Sequence, residues 1–261
     1  MFECELPFDH KTLHLELEDK NFAGVMEGHQ NEFKTTKSQE ELVEESLANP
    51  YGSPSLEELC AGKKDIVIIS SDHTRPVPSR VTMPILLHHI HAAAPEARVR
   101  ILVATGMHRP STHEELVNKY GEEIVANEEI VMHVATDDSM MKKIGTLPSG
   151  GECIINKIAA DCDLLLAEGF IEPHFFGSRK SVLPGIASYK TIMYNHNGQF
   201  VNDSHSRAGN LCHNHVSEDM FAAAEMAHLA FVLNVVLNGK HEVIGSFAGD
   251  IHKAHEAGCE F

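Results

Sequence analysis

Basic residues are scarce in this chain: 21 Lys and Arg stand against 38 Asp and Glu, a formal charge of −17. Nucleic-acid affinity comes chiefly from cations that neutralise phosphates, so the charge argues against wrapping a phosphate polymer and any anion must be caught locally. No apolar run approaches the 18 or so residues of a membrane span, and Met1-Phe2-Glu3-Cys4-Glu5 lacks the basic and apolar regions of a signal peptide. The cytoplasm is the expected compartment. The six cysteines carry no C-x-x-C spacing, which fits neither a zinc knuckle nor a disulfide framework and leaves reduced, mostly buried thiols. The glycine-rich dinucleotide fingerprint and the Walker lysine are absent too, so ordinary NAD or ATP binding has no support.

What is present is enough apolar residue, 43% of 261 positions, for a sizeable core. Nineteen histidines exceed ordinary usage, and near neutral pH their chemistry is metal ligation or proton transfer. His88, His89 and His91 fall in an apolar helical pattern and read as partly exposed helix residues. His213 and His215 lie in a polar turn, where they could together hold a metal.

The segment 1–60 reads as wrapping, with a strand over Thr12 to Leu17 and an acidic helical stretch from Ser38 to Leu47. The core, 61–248, opens with the β-branched run Asp65 to Ser70, the polar loop Ser71 to Ser79 and a helix from Arg80, half of a βαβ unit. Pro78 suits the first helical turn, whose free N–H groups form an anion site with Thr74 and Arg75 beside them. Arg98 to Ala104 repeats the logic. It leads through Thr105-Gly106-Met107-His108 to a helix over His113 to Tyr120, capped by the Thr112/Glu115 box.

Glu129 to Ala135 and Cys162 to Ala167 read as further strands, the last feeding Glu172-Pro173-His174 and Lys180. Ile186 to Asn195 reads as a helix ending at His196, and Ser217 as the cap of a helix to Ala227. Asn238-Gly239 signals a hairpin between Phe231–Leu237 and Glu242–Phe247, and residues 249–258 read as a short helix. The expected fold is an α/β, Rossmann-like layered domain. It has a mostly parallel sheet, helices on both faces and a C-terminal β-hairpin.

If these strands are neighbours, their carboxyl ends bring Asp72, Arg75, His108, His174 and Lys180 into one cleft, where α/β sheets keep their ligands. Two imidazoles suit a reaction that takes and gives a proton on two faces of one carbon. The lysine could form a Schiff base, clamp a phosphate or anchor a covalent cofactor, and residue chemistry alone leaves these open.

Four stretches, in order, carry a resemblance: Ser71-Asp72-His73-Thr74-Arg75-Pro76, Thr105 to Pro110, Glu172-Pro173-His174-Phe175-Phe176, and Arg179-Lys180-Ser181-Val182-Leu183-Pro184-Gly185 followed by Asn195-His196. With them the chain resembles the nickel-dependent lactate racemase family. The resemblance implies a 2-hydroxy acid racemase or epimerase using reversible hydride transfer. The implied cofactor is pyridinium-3,5-bisthiocarboxylic acid mononucleotide, a nickel-pincer nucleotide, covalently on Lys180. It further implies His196 as the protein's nickel ligand, His108 and His174 as the acid/base pair, and Arg75 as the residue that orients the substrate carboxylate. Asp72 and Thr74 would line the substrate and cofactor region.

The implied partners are a small 2-hydroxy acid, lactate foremost, and the cofactor's biosynthetic enzymes. The loop before Lys180 is shorter than the family's, with Gly177 and Ser178 alone between the Phe pair and Arg179. The family's closing domain would follow residues 249–261, read as the start of a hinge. The cofactor-bearing domain alone is therefore expected to turn over weakly or not at all. The competing expectation is a non-catalytic nickel or nucleotide-binding module.

Overall fold

The computed structural model describes residues 1–8, 11–26, 28, 32–174 and 180–261, which fall into two compact units, Met1–Phe33 and Lys34–Phe261. The first is an antiparallel hairpin of β1 (Phe2–Phe8) and β2 (Lys11–Leu17), registered from Phe2 opposite Leu17 to Phe8 opposite Lys11. The division falls after Phe33 rather than near residue 60. The helices α1 (Gln39–Ala48) and α2 (Leu56–Cys60), read above as wrapping, bury Val43, Leu47, Leu56 and Cys60 in the core of the second unit.

That unit continues β3 (Asp65–Ser71), α3 (Ser79–Ala93), β4 (Arg98–Ala104), α4 (His113–Tyr120), α5 (Glu122–Asn127) and β5 (Glu129–Met132). Next come β6 (Met141–Thr146), β7 (Glu152–Asn156), α6 (Lys157–Asp161), β8 (Leu164–Phe170), α7 (Tyr189–Asn195) and α8 (Gly198–Val201). The chain then runs through α9 (His215–Met226), β9 (Leu229–Leu237), β10 (Val243–Gly249) and α10 (Lys253–Glu260). Six strands form one sheet in the order β10-β9-β8-β3-β4-β5, parallel except for β10, which closes the expected hairpin on β9.

Burial on both faces explains the continuous β-branched runs. Along β3, Ile66 and Ile68 face a core built with α1 to α5, while Val67 and Ile69 face one built with β7, α6, α7, α9 and α10. The antiparallel pair β6–β7, unforeseen in the sequence, therefore covers one face of the sheet. His89 on α3 bonds Glu44 of α1 at 2.8 Å and Glu57 of α2 at 2.5 Å, a structural use of a helix histidine.

Several boundaries move for local reasons. The strand at Glu129 stops at Met132, where His133 turns inward to a buried position. α7 starts at Tyr189 because the Ser188 hydroxyl caps it, accepting from Thr191 N. The cap of α9 is Asn214, accepting from Ser217 N. Pro78 is itself the cap of α3 rather than a member of its first turn. No helix of the described residues is long and apolar enough to cross a membrane.

Candidate active site

Strand order reverses at β3, which leads to β4 on one side and lies against β8 on the other. Crevices at such reversals are the natural ligand sites of open parallel sheets. A cavity of about 280 Å³ lies there, with Asp72 and Arg75 from the β3 corner, His108 from the β4 corner, Lys180 after β8 and His196 after α7 on its wall. Two corners are joined directly, since Gly106 N donates to Gly185 O at 2.9 Å.

Asp72 is 1% exposed, and its Oδ2 accepts from His108 Nδ1 at 2.7 Å. Its Oδ1 accepts from Thr74 N at 3.1 Å and from the Thr74 hydroxyl at 2.7 Å. Burial works to raise its pKa, but the bonds from Thr74 and His108 outweigh burial and hold the carboxyl below its ordinary value. The Asp72 carboxylate fixes a proton on His108 Nδ1 and leaves Nε2 as the acceptor. Arg75 is exposed on the cavity wall, with no carboxylate paired to its guanidinium among the described residues.

Lys180 Nζ bonds Glu172 Oε1 at 3.1 Å. Burial, seconded by Arg75, nevertheless lowers the amine pKa against the opposing pull of Glu172. His174 does not line the cavity, but it is close enough to feel its charges. Burial first, then Lys180, Arg75 and His196, lower its pKa against Glu172. His196 is lowered as well, by burial and then by Lys180. Both rings are therefore biased to the neutral form near pH 7. The segment 175–179 that links His174 to Lys180, with the shortened loop, lies outside the described residues.

Three residues that shape the cavity were not singled out in the sequence. Glu168, 2% exposed on β8, accepts from the hydroxyls of Ser70 and Ser79 at 2.5 Å each and from that of Thr82. Ser70 and Ser79 bracket the Ser71–Pro78 loop, so one buried acid holds both of its feet. Asn234 enters from β9, and Ile192 adds an apolar patch. Glu168 follows directly on the apolar run that defined the strand; a carboxylate continuing such a run was the available signal.

The sequence profile of the lactate racemase N-terminal domain matches residues 8–209. This chain belongs to that family. Lactate racemase of Lactiplantibacillus plantarum is 61% identical over the whole chain, and that of Thermoanaerobacterium thermosaccharolyticum is 47% identical, also over the whole chain. The chain spans 62% of the length of each. The solved lactate racemase apoprotein from T. thermosaccharolyticum superposes with a TM-score of 0.88 at 46% identity, covering 100% of this chain and 62% of that one. A Thermotoga maritima protein at 20% identity and TM-score 0.67, over 90% of this chain and 60% of that one, shares the fold alone. Each alignment with the two racemases runs over 265 positions against 261 residues here, so each racemase carries residues this chain lacks.

The turn that presents Lys180 to the cavity is tightly packed. Gly185 N bonds Lys180 O at 3.0 Å. A Cβ at Gly185 would overlap Ser181 O and lie 2.8 Å from Lys180 O and 2.9 Å from Ala104 Cβ. Backbone oxygens cannot rotate away, so Gly185→Ala is expected to cost about 1–3 kcal/mol, read as a lowered midpoint in urea denaturation. An unchanged midpoint would show that the turn yields freely.

Proposed function

We propose that the chain is the cofactor-bearing part of a racemase of a small 2-hydroxy acid, lactate, with a nickel-pincer nucleotide carried by Lys180 and its nickel ligated by His196. The observation that carries this reading is the meeting of His108, Lys180 and His196 around one cavity, each delivered by a different element.

The residues present fit such a group. A lysine with a lowered pKa is a better nucleophile near neutrality, as covalent attachment requires. A histidine biased to the neutral form offers a lone pair to a metal. Among the described residues, the single set of three metal-capable side chains in mutual reach is the exposed Glu3, His14 and Glu16. His213 and His215 join no such set. A nickel ion at His196 therefore needs its other donors from the bound group, which a pincer nucleotide provides. When bound, that group supplies a reversible hydride acceptor for the substrate C2.

The chain's own residues do the rest. Arg75 binds the substrate carboxylate through its planar fork and fixes which carbon faces the cavity. His108 takes the hydroxyl proton at Nε2 while Asp72 holds Nδ1–H and stabilises the ring as it becomes charged. His174, beside the cavity rather than on its wall, is assigned the other face. Its protonated form, a stronger acid because its pKa is lowered, gives a proton to the oxygen when the planar 2-oxo acid presents that face, and the roles exchange for the opposite enantiomer.

The test uses the whole racemase of which this chain is the proposed cofactor-bearing part, co-expressed with the cofactor-making enzymes, and lactate deuterated at C2. Racemisation with deuterium kept at C2 is expected, because hydride returns to the carbon it left. Wash-out of the label into water would sink the hydride reading. Asp72→Asn is expected to slow racemisation by about 10²-fold with the mass of the Lys180 adduct unchanged, through loss of the Nδ1 anchor.

A further inference from the structure

The geometry points to Asp219 as the positioning residue that sets the direction of His196, an inference that rests on the reading of His196 as a nickel ligand. Asp219, on α9, is 0% exposed, and no Lys, Arg or His pairs with it among the described residues. Its oxygens are spent on two targets. Oδ1 accepts from Ser149 N at 3.0 Å, while Oδ2 accepts from the Ser149 hydroxyl at 2.5 Å and from Asn195 Nδ2 at 3.1 Å.

Asn195, also 0% exposed, is the last residue of α7 and immediately precedes His196. Its amide makes a longer second bond to Val216 O at 3.4 Å. Tyr194, one residue earlier, donates its hydroxyl to Ser149 O at 2.7 Å. Tyr194 is thus bound directly to the β6–β7 turn around Ser149, and the Asp219 carboxylate bridges that turn to Asn195 at the helix end.

α7 has only seven residues, too short to be stable by backbone bonds alone, so its last turn depends on what packs against it. His196 follows at its C-cap, where His196 N donates to Ile192 O at 2.8 Å. Residues behind a metal ligand orient it and tune its hold on the metal. A buried carboxylate without a cation is costly and earns its place where its acceptors fix a direction. Without Asp219, Asn195 keeps only its long bond to Val216 O, and the imidazole swings with the fraying turn.

The experiment measures nickel release from the holoprotein to an excess of chelator, read by a coloured nickel indicator and by the absorption spectrum of the bound group. It compares wild type with Asp219→Asn, Ser149→Ala and His196→Ala, each at the same interval below its own melting temperature. Asp219→Asn keeps the volume and one acceptor oxygen. It is expected to release nickel about 10- to 100-fold faster than wild type, with the mass of the Lys180 adduct unchanged. Ser149→Ala deletes one bond only, should show a smaller rise, and serves if Asp219→Asn fails to fold.

His196→Ala is expected to be the fastest. Wild-type release from Asp219→Asn and Ser149→Ala beside fast release from His196→Ala overturns the role of Asp219 and leaves the ligand reading intact. Wild-type release from His196→Ala overturns the ligand reading and this inference with it.

Discussion

On the proposed reading, Lys180→Arg in the whole racemase is expected to abolish racemisation while leaving the fold unchanged. Arginine keeps a cation facing Glu172, so the 3.1 Å ion pair beside the cavity has a replacement. A guanidinium stays protonated at any working pH and is no nucleophile, whereas burial has lowered the Lys180 amine toward the form that attacks. Covalent attachment therefore ends with the substitution. Intact-protein mass spectrometry should find no adduct on the variant after co-expression with the cofactor-making enzymes. Racemisation should fall by roughly 10⁶-fold or more, to the uncatalysed background. Circular dichroism and the melting temperature should stay near wild type. An adduct persisting on the arginine variant, or racemisation continuing without one, would remove Lys180 from the centre of the site.

The second large effect is on stability in mild acid. His133 is 0% exposed, donating Nε2–H to Ala187 O at 2.9 Å and accepting from Asn156 Nδ2 at Nδ1 over 3.2 Å. Burial, only partly offset by the Ala187 bond, pushes its pKa down to about 4 from 6.5. Its neutral form is therefore favoured in the fold, and between those two values the unfolded chain binds more protons than the folded one. Stability from this residue is fully present above the unfolded pKa and is lost as pH falls toward 4.

Linkage puts the loss at about 2 kcal/mol between pH 7 and pH 5, and about 3 kcal/mol by pH 4. Urea denaturation of wild type and His133→Gln across pH 4 to 7.5 isolates the contribution. The variant is expected to be less stable at pH 7 but to lose less on acidification. Parallel pH slopes for the two proteins would show that His133 is not the group that charges. Ala187 directly precedes Ser188, the cap of α7, so acid should loosen the segment that leads to His196.

These two residues differ in how readable they are. Lys180 stood in a motif after an apolar run, and the periodicity of β3, β4 and β8 with the Thr112 capping box placed three corners on one rim. His133 could not be found that way, because a histidine at a strand end looks the same whether it turns outward or inward. The pair β6–β7 escaped because Lys142, Lys143 and Gly145 dilute its alternation and its exposed side is polar. Asp219 sits in a helix, where a carboxylate reads as a solvated charge until α9, α7 and the Ser149 turn are seen to close around it. The convergence of single loops on one cavity was legible, for all the residues read there but His174, whereas support assembled from three distant stretches was not.

The Glu168 cage has a consequence for how this site can vary. With Ser70 and Ser79 stapled to one carboxylate, the loop between them has fixed feet. An added residue there cannot be absorbed by sliding either leg; it must arch the crown, carrying Arg75 and Asp72 to new heights above the sheet. The height of Arg75 above the cavity is therefore set by the length of this bridge.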